Sequence, residues 1–143
     1  MILLPDFDNI CKSIKANDPR IKSYVLAVTE KTAIKYLKDK PGPVLVAIVP
    51  SADSEARTVD SFIEVSTAFF FIVEKANSGD LNEEKEKQQL SDLQLIMEKL
   101  KSFVLSKKGA CDKLYNLKPG SFKTDPEDYI FGGYNGWSLS FDF

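Results

Sequence analysis

Carboxylates are the side chains whose spacing in this sequence most suggests chemistry. Asp53 and Glu55 stand two apart, so an extended backbone would point both the same way, and Asp60 closes the same polar stretch. Three such groups together could hold a hard cation such as calcium or magnesium and serve a metal-dependent hydrolase. The stretch lacks the glycine and closing glutamate of a calcium loop, and catalytic groups need rigid support that one polar loop does not supply. A solvated acidic loop is the expectation. Asp125, Glu127 and Asp128 make a second cluster around Pro126, where turn chemistry is sufficient explanation.

The remaining residue types narrow the field further. Histidine is absent, which removes the commonest general base, the usual nucleophile triads and most transition-metal sites. Cys11 and Cys111 therefore lack an imidazole partner, and Cys11 falls on an apolar helical stripe, where it reads as packing. The pair is expected as two free thiols in a reducing, cytosolic setting. Neither a GxGxxG fingerprint nor a P-loop is present. No catalytic, cofactor-binding or metal-ligating residue is expected, and the chain reads as a non-enzyme.

At 143 residues the chain has the size of one domain, residues 1–143, able to bury a core without disulfides or metal. Hydrophobic residues at 43% and charged residues at 28% place it among globular proteins. A net charge of −2 offers no basic footprint for nucleic acid. No apolar run approaches the roughly 20 residues that span a bilayer, and Met1–Asp6 is too short and unflanked for a signal peptide. Charge is unevenly spread: residues 1–48 carry 8 basic and 5 acidic groups, the remainder 11 and 16. That mild dipole could orient stacked copies.

The elements that position these residues follow from periodicity. Asp6 caps a short helix in which Phe7, Ile10, Cys11 and Ile14 form one stripe, ended by Asn17-Asp18-Pro19. Residues 21–29 read as a strand. Thr29 can then cap a short helix to Leu37, or residues 21–37 can form a long hairpin; local pattern leaves both open. Val44–Val49, apolar and bounded by prolines, reads as a central strand covered on both faces. Residues 50–60 read as an exposed, mobile loop or hairpin tip, and 62–74 as the longest strand. Residues 83–107 form the main amphipathic helix, with Leu90, Leu93, Ile96, Met97, Leu100, Phe103 and Val104 inward and its first two turns projecting past the core. Short strands at 121–124 and 129–131 flank a turn at 125–128. Asn135-Gly136 signals a type I′ hairpin turn into a final alternating strand, Trp137–Phe143. The fold class is α+β: an antiparallel or mixed sheet of about 4–6 strands, with the main helix across one face.

The ending Asn135-Gly136-Trp137-Ser138-Leu139-Ser140-Phe141, after a long amphipathic helix and a short strand, resembles that of tail-terminator (tail-completion or neck) proteins of tailed bacteriophages. Strand 44–49, the polar segment 50–60 and strand 62–74 fit the same element order, from which a helix at 29–37 would depart. The resemblance implies a non-catalytic homo-oligomer, commonly a hexameric ring, at the end of the tail tube. It would contact tube or head–tail connector proteins and reside in the virion. A host-encoded chain would instead be cytoplasmic. Exposure and turn character, not a family motif, single out two contact segments: Ser51, Asp53, Glu55 and Arg57 in one, Gly133, Tyr134 and Asn135 in the other. An unpaired edge strand joining a neighbour's sheet is the expected mode. The competing reading is a small-ligand or peptide-binding domain with a pocket lined by Phe69, Phe71, Trp137 and Phe141; the carboxylate hydrolase ranks below it.

Overall fold

A computed structural model describes residues 1–56, 58–60, 62–76, 82–109, 113–114 and 116–143, with backbone alone at Glu55, Ala56 and Phe62. Helix α1 (Leu4–Asn17) leads into β1 (Ser23–Ala27), α2 (Glu30–Leu37), β2 (Val44–Ala56) and β3 (Phe62–Lys75). Helix α3 (Glu83–Leu105), a 3-10 turn (Pro119–Ser121), β4 (Lys123–Ile130) and β5 (Tyr134–Asp142) complete the chain. The five strands form one mixed sheet in the order β1-β2-β3-β5-β4. Strands β1 and β2 run parallel, as the helical crossover between them requires, and the other neighbours pair antiparallel. The α+β class and the long helix on the sheet are as expected.

Local chemistry explains where the helices start. Helix α1 begins two residues before Asp6, because Pro5 sits in its first turn, where no N–H bond is lost. Phe7, Cys11 and Ile14 face the core as the periodicity predicts. For residues 21–37 the helical alternative holds: the Thr29 hydroxyl accepts the Thr32 N–H at 3.3 Å and caps α2. Asn82 caps α3 in the same way, accepting the Glu84 N–H at 3.0 Å. Leu93, Ile96, Met97, Leu100 and Val104 of α3 are buried, while residues 83–88 are exposed.

Two apolar layers sandwich the sheet. On one face α1 and α3 cover Leu45, Ala47, Ala68, Phe70, Ile72, Leu139 and Phe141. Phe70 is the centre of that layer, its ring stacked 5.6 Å from Phe7 and 5.9 Å from Phe141. On the other face α2 covers a smaller cluster of Val25, Ala27, Val44, Val46 and Val73 with Ala33, Leu37 and Phe131. Strand β2 is thus apolar on both sides over residues 44–47, which explains its unbroken hydrophobic run.

Three expected turns are strands. Residues 50–56, expected in a loop, extend β2 and pair with β3 from Ser51↔Thr67 to Ala56↔Phe62. Between Ile48 and Ser51 the ladder carries one extra β2 residue, a bulge beside Pro50, which has no N–H to offer. Residues 125–128, expected in a turn, lie in β4; Pro126 is tolerated there because β4 is an edge strand. Asn135-Gly136 lies inside β5, and the true turn is Phe131–Gly133, whose three φ angles are 50°, 79° and 127°.

Asp18 ties α1 to β1. Its carboxylate is 3% exposed and accepts the Arg20 backbone N–H at 3.0 Å, Nε at 2.9 Å and Nη2 at 2.7 Å. The Arg20 hydrogen bond, partly opposed by burial, holds the Asp18 carboxyl below its ordinary pKa. A depressed carboxylate contributes stability above its unfolded pKa and loses it as pH falls through the folded value. Asp18→Asn should therefore cost about 1–3 kcal/mol at neutral pH, with the gap to wild type closing below about pH 4 in acid denaturation followed by circular dichroism. Phe70→Ala, which empties the centre of the larger core layer, should cost about 3–5 kcal/mol in urea unfolding.

Candidate functional site

The feature that stands apart from the core is an arm built from the far halves of β2 and β3. Strand β1 accompanies β2 only from Val44 to Ile48. Strand β5 accompanies β3 only from Lys75 to Thr67, and Phe143 closes the pairing with two backbone bonds to Ser66, 2.8 and 2.9 Å. Beyond those points residues 51–56 and 62–65 pair only with each other, and no other strand among the described residues meets either outer edge. Both edges thus present a row of backbone donors and acceptors to solvent.

Side chains on the arm are mixed. Register partners share a face, so Asp53 and Val65 lie on one side with Ile63, Thr67 and Phe69. Ile63 is 64% exposed, Phe69 42%, and Val59 at the tip 98%. Ser51 and Asp53, predicted contact residues, are exposed on β2. Glu55 is placed by its backbone opposite Ile63, and Arg57 lies outside the described residues. Asp53 and Asp60 are exposed acids, whereas Glu64 meets the Met1 amino group.

The second predicted segment is different in kind. Asn135 is 4% exposed. Its Oδ1 accepts the Tyr129 N–H at 2.8 Å and its Nδ2 donates to Gln89 Oε1 at 3.4 Å. Gln89 in turn donates to Glu74 Oε1 at 3.2 Å and to the Lys75 carbonyl at 3.1 Å. Tyr134 is half-buried against the smaller core layer, and its hydroxyl donates to the Leu37 carbonyl at 3.2 Å. Neither residue is an exposed tip: both tie β5 to the helices. Gly136 is a close-approach glycine rather than a turn residue, since a β-carbon there would fall 1.9 Å from the Ile72 carbonyl oxygen. The exposed aromatic of this hairpin is Tyr129, 67% accessible with φ 51°. A bulge between Glu127 and Ile130 of β4, invisible in periodicity, places it there.

Other candidate chemistry disperses. Among the described residues no group of three or more His, Cys, Asp or Glu side chains is placed to hold a metal. Cys11 is a free, fully buried thiol whose pKa burial pushes up to about 12, so it is inert; Cys111 lies outside the described residues. Phe69 and Phe71 lie on the sheet face opposite Trp137 and Phe141, so the four do not line one pocket. Phe71 meets Phe131 edge-on at 5.0 Å, and the Trp137 indole donates to the Leu90 carbonyl at 2.8 Å on the α3 side. A cavity of about 380 Å³ between α3 and the start of β2 is bordered by Arg20, Lys22, Glu74, Gln89 and Asp92. Arg20 is already bound to Asp18 and Gln89 to Glu74. Among the described residues no helix is long and apolar enough to cross a membrane.

Comparisons with protein-family models, curated proteins and solved structures find no match.

Buried Asn135 and exposed Tyr129 should respond differently to truncation. Asn135→Ala removes a buried side chain that bonds both the Tyr129 N–H and Gln89 Oε1, and should cost about 1–3 kcal/mol in thermal or urea unfolding. Tyr129→Ala, at an exposed position, should change stability by less than about 0.5 kcal/mol.

Proposed function

We propose that this protein is a non-catalytic assembly subunit that joins copies of itself through the β2–β3 arm. The arm carries the reading. A two-stranded ribbon is marginally stable alone in water, and this one exposes Ile63 and Val59 as well as two unpaired edges. Proteins that remain separate blunt such edges with charge, proline or cover. Here the two edges of the main sheet have that treatment, through Pro126 in β4 at one and the brevity of β1 at the other, while beyond the bulge beside Pro50 the arm strands carry charged side chains but no proline and no covering strand.

The role resembles that of a phage tail-terminator or neck subunit, in which identical copies ring the end of the tail tube and offer a docking surface on each side. Three features support that comparison: the C-terminal Asn135–Phe141 strand, the projecting hairpin and the long helix packed on a small sheet. In that setting the protein acts within the virion, its other partners being tail-tube or connector proteins. The aromatics of a ligand-binding reading are divided between the two sheet faces, which favours assembly over small-molecule capture.

Replacing residues 53–65 by Asn-Gly, a two-residue hairpin turn, should preserve helix content and a cooperative melt while abolishing assembly in light scattering. A shortened-arm variant that still forms wild-type particles would overturn the proposal, as would a wild-type protein that is monomeric at every concentration.

A further inference from the structure

Two surfaces at opposite ends of the molecule complement each other. On α2, Lys31, Ile34, Lys35 and Lys38 recur at i, i+3, i+4 and i+7, and all four are exposed on the side away from buried Ala33 and Leu37. Ile34 Cγ2 lies 3.9 Å from where a β-carbon on Gly132 would stand, and the Tyr129 ring lies 3.7 Å from the same position on Gly133. Gly132 is exposed and Gly133 is buried beside the Tyr129 ring, so Ile34 and Tyr129 flank this turn as one apolar patch, with lysines on its α2 side. An exposed aromatic at its rim is the kind of residue that anchors interfaces.

The arm has the converse character. Residues 51–66 carry four acidic side chains and one basic, whereas residues 30–40 carry four basic and two acidic. On the arm, exposed Ile63 and Val59 stand among Asp53, Asp60 and the backbone position of Glu55. Each surface therefore offers an apolar centre with an excess of one charge sign, and the two excesses are opposite.

The two cannot meet within one chain. The patch adjoins the cluster that contains Leu37, Val44 and Phe131 at the start of β2, and the arm tip lies past the end of that strand. Twelve residues separate Val44 from Ala56, about 40 Å at roughly 3.3 Å per residue. We infer that the arm of one copy seats on the α2–Tyr129 patch of the next, a contact between two different surfaces that makes the assembly head-to-tail. The inference rests on the assembly reading above and gives it a direction. A head-to-tail contact repeats until it closes as a ring or continues as a filament.

Directionality has a specific test. The arm variant Asp53→Lys with Ile63→Ser and the patch variant Ile34→Ser with Tyr129→Ser should each be monomeric in size-exclusion chromatography with light scattering. An equimolar mixture should stop at the dimer, because the one intact arm finds the one intact patch and both outer ends are blocked. A mixture that stays monomeric, or variants that each assemble to the wild-type size, would overturn the inference. In both cases a wild type that assembles leaves the broader reading standing; a monomeric wild type overturns that reading as well. Should a paired variant unfold, the single substitutions Ile63→Ser and Ile34→Ser should each weaken assembly by about tenfold or more, and an unchanged affinity for both would overturn the inference.

Discussion

The β2–β3 ladder is the constraint on which the rest of the molecule depends. Its first half, from Val44↔Val73 to Ile48↔Phe69, is the spine of the sheet, and Val44–Ala47 within it are buried by helices on both sides. Its second half leaves the core and becomes the arm. The bulge between Ile48 and Ser51 marks the change, and extra residues of this kind bend a strand and increase its twist. One continuous pair of strands therefore both nucleates the two apolar layers and carries backbone away from them. Among the described residues no further strand flanks the arm, and the Met1 amino group meets it at Glu64, so its order rests chiefly on the buried half.

The β4–β5 hairpin closes the smaller layer. Phe131, held at φ 50° in the turn, inserts against Phe71, and Tyr134 bonds the last carbonyl of α2. The chain between them is Gly132-Gly133, whose positive φ angles a β-carbon would strain. Closing this layer brings Tyr129 and Ile34 to the surface side by side. A folding requirement thus produces the apolar patch, and the lysines of α2 then border it on one side because that helix is amphipathic. Fold and candidate surface arise from the same few residues.

Much of the fold was legible where burial imposes a period. The stripe of α3, the stripe of α1 and the unbroken run Val44–Val49 each met the core as their patterns required. Residues 50–56 were not legible as strand, because a ribbon outside the core has no buried face to enforce alternation. Asn135-Gly136 misled for a related reason. Asn-Gly is a strong turn signal, yet here the asparagine is needed for a buried hydrogen bond to Tyr129 and the glycine for the close approach of Ile72. Ser51, Asp53, Glu55 and Arg57 were singled out by expected exposure, whereas Ile63, Ile34 and Tyr129 became conspicuous only once topology showed them exposed.

The proposed contact between the arm and another copy is read directly by backbone amide hydrogen exchange. At protein concentrations below assembly, amides of residues 51–56 and 62–65 should exchange fast compared with those of residues 44–48 and 68–73. At concentrations where particles form, the arm amides should slow markedly while the core amides stay unchanged. Arm exchange that is equally fast in monomer and particle would contradict the central claim.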